Sequence, residues 1–227
     1  PSRRYTPEEI IDLVKDRPLD FDPGEKYRYS NTGYVLLGMV IEAVTESAYA
    51  KFMQDTIFAP LGMADSGVET GPMVLANRAT GYFWSQGKLV PAVSLHMSLF
   101  HGDGAVYSTV DDLIVWDRAL AANKLLGSAA TEKMFTPVKS GYACGWIVDR
   151  KFGRARQHHN GRVPGFTTQL VRYPDVGLFV VVLSNADQLL VLPMADDLAA
   201  IAFGKKYELP KPPEPEEPND GKKDGKP

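Results

Sequence analysis

Apolar residues first settle into a helical period and later into a strand period. Thr6-Pro7-Glu8-Glu9 reads as a capping box with Pro at the first helical position, which predicts a helix to about residue 16, stopped by Pro18. Phe21-Asp22-Pro23-Gly24 reads as a turn. Asn31 is placed to cap a helix over about 32–46. There Val35, Leu36, Leu37, Met39, Val40, Ile41 and Val44 leave almost no polar face, so a buried central helix is expected. A further helix over 48–57 ends at Ala59-Pro60-Leu61-Gly62-Met63. Residues 64–105 read as irregular, with a hairpin around Tyr82–Val90. Ser108-Thr109-Val110-Asp111 opens a helix through Leu120, and a shorter one covers 128–135.

From Tyr142 the period changes to two. Segments 142–149, 155–160, 166–173 and 177–185 read as an antiparallel meander, with Pro174-Asp175-Val176-Gly177 as a hairpin turn. A helix over 188–203 carries Leu189, Leu192, Met194, Leu198 and Ile201. Helices followed by strands and a terminal helix predict an α+β fold. One domain is expected over 1–206, helical to about 140 and then strands with the terminal helix. Residues 207–227, rich in Pro and charge, are expected to be disordered.

Composition narrows the function. With 44% hydrophobic residues and 23% charged, the 227-residue chain has the make-up of an ordinary globular protein. A net charge of -3 argues against a nucleic-acid partner. No apolar run reaches the roughly 18 residues of a membrane span. One cysteine, Cys144, cannot form an internal disulfide and leaves the compartment open. The chain begins with Pro and shows no signal-like start, so it is expected to begin inside a longer protein or after processing.

The residues that could do chemistry fall in two blocks. Tyr29-Ser30-Asn31 precedes the apolar helix, and His159-Asn160-Gly161 follows 130 positions later. Strand alternation puts His159 and Gly161 on one face and His158 on the other, which makes His158 structural or solvent-facing. Ser85-Gln86-Gly87-Lys88 is the one literal Ser-x-x-Lys, but its Gly and flanking aromatic and branched residues favour a hairpin over a helix start, so Ser85 is dismissed as a nucleophile. His96, His101, Asp103, His158 and His159 could supply metal ligands, yet none falls at the i, i+4 spacing of a helical zinc site and no Cys pair exists.

The two blocks resemble the Tyr-x-Asn and His-x-Gly motifs of the serine β-lactamase and penicillin-binding superfamily. Pro60-Leu61-Gly62-Met63, Gly104–Thr109 with Asp112-Leu113, and Gly161–Phe166 add to the resemblance, which runs over about 20–200. It implies a β-lactamase/transpeptidase-like fold and an acyl-enzyme hydrolase of an ester, a D-amino-acid amide or peptide, or a β-lactam. Tyr29 would be the general base or acid, Asn31 the substrate-amide contact, His159 the third-motif side chain and Gly161 the close-approach glycine. The Arg162 N–H would form half of an oxyanion hole, and its guanidinium could meet a substrate carboxylate. No cofactor is implied.

The family's first motif, Ser-x-x-Lys, lies upstream of the Tyr block, where only 28 residues are present. The chain is therefore expected to be a C-terminal portion without its nucleophile, inactive alone. An N-terminal segment or second chain would carry the serine, two strands and the nucleophile helix. This chain would supply the remaining three strands, and the strand Leu178–Leu183 would lack a neighbour. An imidazole in place of the family's lysine leans the reading toward an esterase or D-amino-acid peptidase. The alternative is a non-catalytic module that binds peptidoglycan or D-amino-acid ligands. Members are often exported, which implies an extracytoplasmic location.

Overall fold

A computed structural model describes residues 3–93, 95–187 and 191–207. The expected disorder of 207–227 and the start of the last helix at 188 lie outside these residues, Tyr207 apart.

A four-stranded antiparallel sheet, β5 (Ile147–Lys151), β6 (Arg154–Val163), β7 (Phe166–Tyr173) and β8 (Leu178–Ser184), runs in that order. The four segments read as a meander are these four strands, one more than the three the resemblance implied, because Ile147–Lys151 pairs residue for residue with Arg154–His158. The segment expected to begin at Tyr142 starts as strand only at Ile147: Ser140, Gly141 and Gly145 all take positive φ, which breaks the extended run. Strand β6 reaches three residues beyond the expected end and carries the whole His159-Asn160-Gly161 block.

Alternation along β7 gives the sheet two distinct faces. Val171 and Tyr173 pack with Val180 against Ala195 and Ala199 of the terminal helix α7 (Val191–Ala202). On the other face Leu170 and Val148 meet Trp146, Trp116 and Leu120, two of them on α5 (Val110–Ala121), with Phe135 of α6 (Ser128–Phe135). Buried arginines tie each face to its helix. Arg156 makes a bidentate bond to Asp149 at 2.8 and 2.6 Å and reaches Asp196 of α7 at 2.7 Å. Arg172 pairs with Asp117 of α5 and lies over the Trp146 ring. Stranding such a buried guanidinium costs about 3–5 kcal/mol.

The helical part departs further from expectation. Helix α1 (Pro7–Asp12) has the expected capping box but gives way to turns four residues early. Helix α2 (Asn31–Thr45) is capped by Ser30, whose Oγ accepts from the Gly33 N–H at 3.2 Å, so Asn31 is the first helical residue and not the cap. Nor is α2 a buried central helix: only Val35 and Gly38 are buried, while Leu36, Leu37, Val40 and Val44 face outward, Val44 at 77% exposure.

Helix α3 (Tyr49–Met53) continues through a wide π turn, Gln54–Phe58, into α4 (Ala59–Leu61). Pro60 has no N–H for the Thr56 carbonyl and its ring crowds that group, which suits a widened turn. Thr109, rather than Ser108, caps α5 by accepting from Asp112 N–H at 3.2 Å; Ser108 bonds Ser66 instead.

Residues 64–105 are not wholly irregular. Strand β1 (Gly67–Val68) pairs with β4 (Val106–Tyr107), and a 3₁₀ turn covers Met97–Phe100. Strands β2 (Tyr82–Ser85) and β3 (Lys88–Pro91) form the expected hairpin, with Gln86 and Gly87 both at positive φ. Ser85 therefore faces Lys88 across a two-residue turn, far from the geometry of a helix-borne nucleophile.

The loop His101–Gly104 presses on α2 at one point. Gly102 has φ +77°, and a Cβ there would stand 2.7 Å from the Tyr34 carbonyl oxygen. Gly102→Ala combines that clash with the left-handed penalty and is expected to cost about 2–4 kcal/mol. Gly87→Asn, in the hairpin with nothing within 4 Å, is expected to stay within about 1 kcal/mol of wild type. Denaturant midpoints of the two variants check the pair; equal losses would show that the loop does not bear on α2.

Candidate active site

The site forms where the N-terminal end of α2 meets the His-bearing strand β6. Pro23-Gly24 makes a turn, with Gly24 at φ +82° and the Glu25 N–H bonded to the Asp22 carbonyl at 2.9 Å. Lys139 Nζ donates to the carbonyls of Gly24, at 2.7 Å, and Glu25, and so anchors this approach to the loop before Tyr142. Tyr29 then emerges just ahead of the Ser30 cap.

Tyr29 and His159, 130 positions apart in sequence, have ring centroids 5.8 Å apart. Tyr142 completes a near-equilateral triangle with them, 6.0 Å from Tyr29 edge to face and 5.8 Å from His159. Its hydroxyl lies 3.0 Å from His159 Nε2 and 2.8 Å from the Tyr34 hydroxyl. The other ring nitrogen, Nδ1, is 2.8 Å from the Asn160 carbonyl. Tyr27 completes the aromatic wall at 5.1 Å from Tyr142.

Expected site residues are thus brought together unevenly. Tyr29 and His159 converge. Asn31 is exposed one residue past the helix cap, with its amide free of hydrogen bonds among the described residues. Gly161 lies two residues beyond His159, and a Cβ there would sit 2.5 Å from Thr168 Oγ1 on β7, so packing across the strand pair already requires glycine. The Arg162 side chain is 65% exposed and 3.6 Å from the Asp187 carboxylate, which offsets its charge.

Histidine 158 is structural, not solvent-facing: it is buried on the α7 face with Nε2 3.5 Å from Asp149. Burial and the neighbouring Arg156 push its pKa down, keeping it uncharged. His96 caps the 3₁₀ turn through Nδ1, and His101 Nε2 lies 3.4 Å from Glu42. Among the described residues no group of three or more His, Cys, Asp or Glu could hold a metal ion. No helix of the described residues is long and apolar enough to cross a membrane.

Tyr27, Tyr34 and Tyr142 escaped the sequence reading as site residues. Tyr34 passes for one more apolar-face position of α2 and Tyr142 for a strand start; the flanking Gly141 and Gly145 were the available signal.

The electrostatics of the site hold protons on. Partial burial, then Tyr34 and Asp103, raise the Tyr29 phenol above the ordinary tyrosine range. Burial, then the Tyr34 hydroxyl, raise Tyr142 further. Asp103, whose Oδ1 is buried without a hydrogen-bond partner among the described residues, is pushed up to about 6 by burial.

The comparisons with known proteins place this arrangement. The Beta-lactamase family model matches residues 1–203. The chain belongs to that family. It is 31% identical to penicillin-binding protein 4* of Bacillus subtilis over 91% of this chain and 51% of that protein. A D-aminopeptidase of Gluconobacter oxydans is 26% identical over 85% of this chain and 37% of its own length. The octameric penicillin-binding protein homologue from Pyrococcus abyssi superposes with a TM-score of 0.81 at 29% identity, over 88% of this chain and 48% of that one. The chain thus spans about half the length, or less, of these β-lactamase-family relatives. The mixed helix and antiparallel-sheet architecture agrees with these neighbours.

Because its folded pKa is raised, Asp103 favours the folded state fully only below the ordinary carboxylate pKa of 3.8, and that contribution is lost as pH rises through about 6. Asp103→Asn is expected to raise the urea midpoint at pH 8 and to give no gain at pH 4. A gain independent of pH would show that the carboxylate is well solvated.

Proposed function

We propose that this chain is the pocket-bearing portion of a serine hydrolase that works through an acyl-enzyme. The observation that carries the reading is the convergence of Tyr29 and His159, 130 positions apart, on one aromatic cluster. A serine from a Ser-x-x-Lys motif on an N-terminal segment or second chain would attack the substrate carbonyl carbon. Tyr29 would take the serine proton and pass it to the leaving amine or alcohol. Water would then attack the acyl ester by the reverse proton path. The raised Tyr29 phenol is protonated at neutral pH as it stands, and so suits the acid role. The base role needs a nearby cation to bring it down, which the motif's lysine would supply.

Asn31, free at the first turn of α2, would hold the substrate amide. Gly161 and the Arg162 N–H would flank the carbonyl, the latter as one half of an oxyanion hole. Esters and D-amino-acid amides or peptides fit better than β-lactams, since no lysine stands at the third motif. The partner segment would cover Leu36, Leu37, Val40 and Val44 on α2 and pair along β8, which among the described residues ends the sheet beside β7. An extracytoplasmic location is part of this reading, as the relatives named penicillin-binding proteins suggest.

Fluorophosphonate labelling read by denaturing intact mass tests this reading. Label on a serine upstream of Tyr29, or on a separate polypeptide, is the expected result. Label on the 25.0 kDa chain at Ser85 would overturn the nucleophile assignment. No label, together with tight binding of a D-amino-acid ligand, would identify a non-catalytic binding module instead. In unlabelled protein of the kind that takes the label, Tyr29→Phe is expected to lower kcat by about 100-fold or more with an unchanged melting curve; near-normal turnover would remove Tyr29 from the mechanism.

A further inference from the structure

The hydrogen-bond chain at the pocket has a direction. A carbonyl can only accept, so the 2.8 Å contact between His159 Nδ1 and the Asn160 oxygen puts the ring proton on Nδ1. In uncharged imidazole Nε2 is then an acceptor, and the Tyr142 O–H must donate to it across 3.0 Å. That commits the Tyr142 proton. The 2.8 Å contact with Tyr34 is consequently a donation from the Tyr34 O–H to the Tyr142 oxygen.

We propose that Tyr142 is a positioning and specificity-determining residue: with the Asn160 carbonyl holding the ring proton on Nδ1, the Tyr142 hydroxyl occupies Nε2 of His159, so the imidazole has no N–H to offer a substrate carboxylate. The site then selects acyl donors that are uncharged beyond the scissile bond, such as esters and simple D-amino-acid amides. This rests on the hydrolase reading above. Of the nearby cations, Lys139 is engaged with the backbone carbonyls of Gly24 and Glu25, while the exposed Arg162 guanidinium is partly neutralised at 3.6 Å from the Asp187 carboxylate. Burial keeps Tyr142 protonated and therefore a donor.

Tyr142 thus acts through His159 and touches no reacting atom. Tyr34 orders the Tyr142 hydroxyl but does not choose the imidazole tautomer. His159 could bind a carboxylate only after Tyr142 lets go of Nε2, which costs one hydrogen bond before any is gained.

The test uses the full-length protein. Long-range ¹⁵N–¹H correlation of the His159 ring at pH 8 is expected to show the proton on Nδ1; a proton on Nε2 overturns the lock. Tyr142→Phe is expected to leave the proton on Nδ1, which the Asn160 carbonyl still holds, and to free Nε2 to take up a second proton beside a carboxylate. It should also raise kcat/KM for D-alanyl-D-alanine relative to D-alanine amide by about tenfold, the worth of one hydrogen bond to a charged group. Tyr34→Phe is expected to leave both the tautomer and that ratio within about twofold, since its hydrogen bond to Tyr142 is neutral at both ends. A ratio unchanged in Tyr142→Phe overturns the specificity role. Should that variant not fold, the wild-type and Tyr34→Phe tautomers still decide the lock. Wild-type protein that turns over neither substrate, yet carries the proton on Nδ1, overturns the hydrolase reading while supporting the lock.

Discussion

Helix α2 and strand β6 lie far apart in sequence, and at the candidate site side chains bridge them. The bridge is the run of hydroxyls from Tyr34 on α2 through Tyr142 to His159 on β6. Edge-to-face and tilted ring contacts and the Lys139 clasp on the Gly24 turn reinforce it. A half-buried polar chain of this kind is costly if any member is left unpaired, and so it fixes one arrangement of the two elements. Tyr29 takes its place from that arrangement rather than from a bond of its own.

Behind the bridge, the sheet supplies rigidity by having two different faces. One face packs Val171 and Tyr173 on α7 and carries the Arg156 network; the other packs Leu170 and Trp146 under α5 and α6. Because successive residues of a strand point to opposite faces, a one-residue slip would exchange the two cores and strand both buried arginines. That penalty keeps His159 on the pocket face and His158 on the other. The imidazole is aimed by register as much as by its own hydrogen bonds.

Among the described residues, the outward apolar face of α2 and the edge of β8 away from β7 are left without a partner element. Both are of the kind that folded proteins cover. The chain spans about half the length of its named β-lactamase-family relatives, which agrees with the proposal that a segment bearing the nucleophile lies there. On that proposal Tyr29 would still need a cation beside it, since its phenol is raised by burial, Tyr34 and Asp103.

Local patterns in the sequence determined much of this protein. The capping box at Thr6, the Gln86-Gly87 hairpin, helix α6 over 128–135 and the strand at 166–173 all stand where residue chemistry puts them, since each depends on neighbours within a few positions. The alternation that separated His158 from His159 was equally legible. Tertiary structure decided what lies between distant segments. Whether the apolar face of α2 is covered depends on which layer packs on it, so its residues alone read as those of a buried helix. Tyr34 and Tyr142 read as ordinary helix and strand residues because their hydroxyls find partners 108 and 17 positions away. Periodicity reports which face a residue occupies; it does not report what that face will meet.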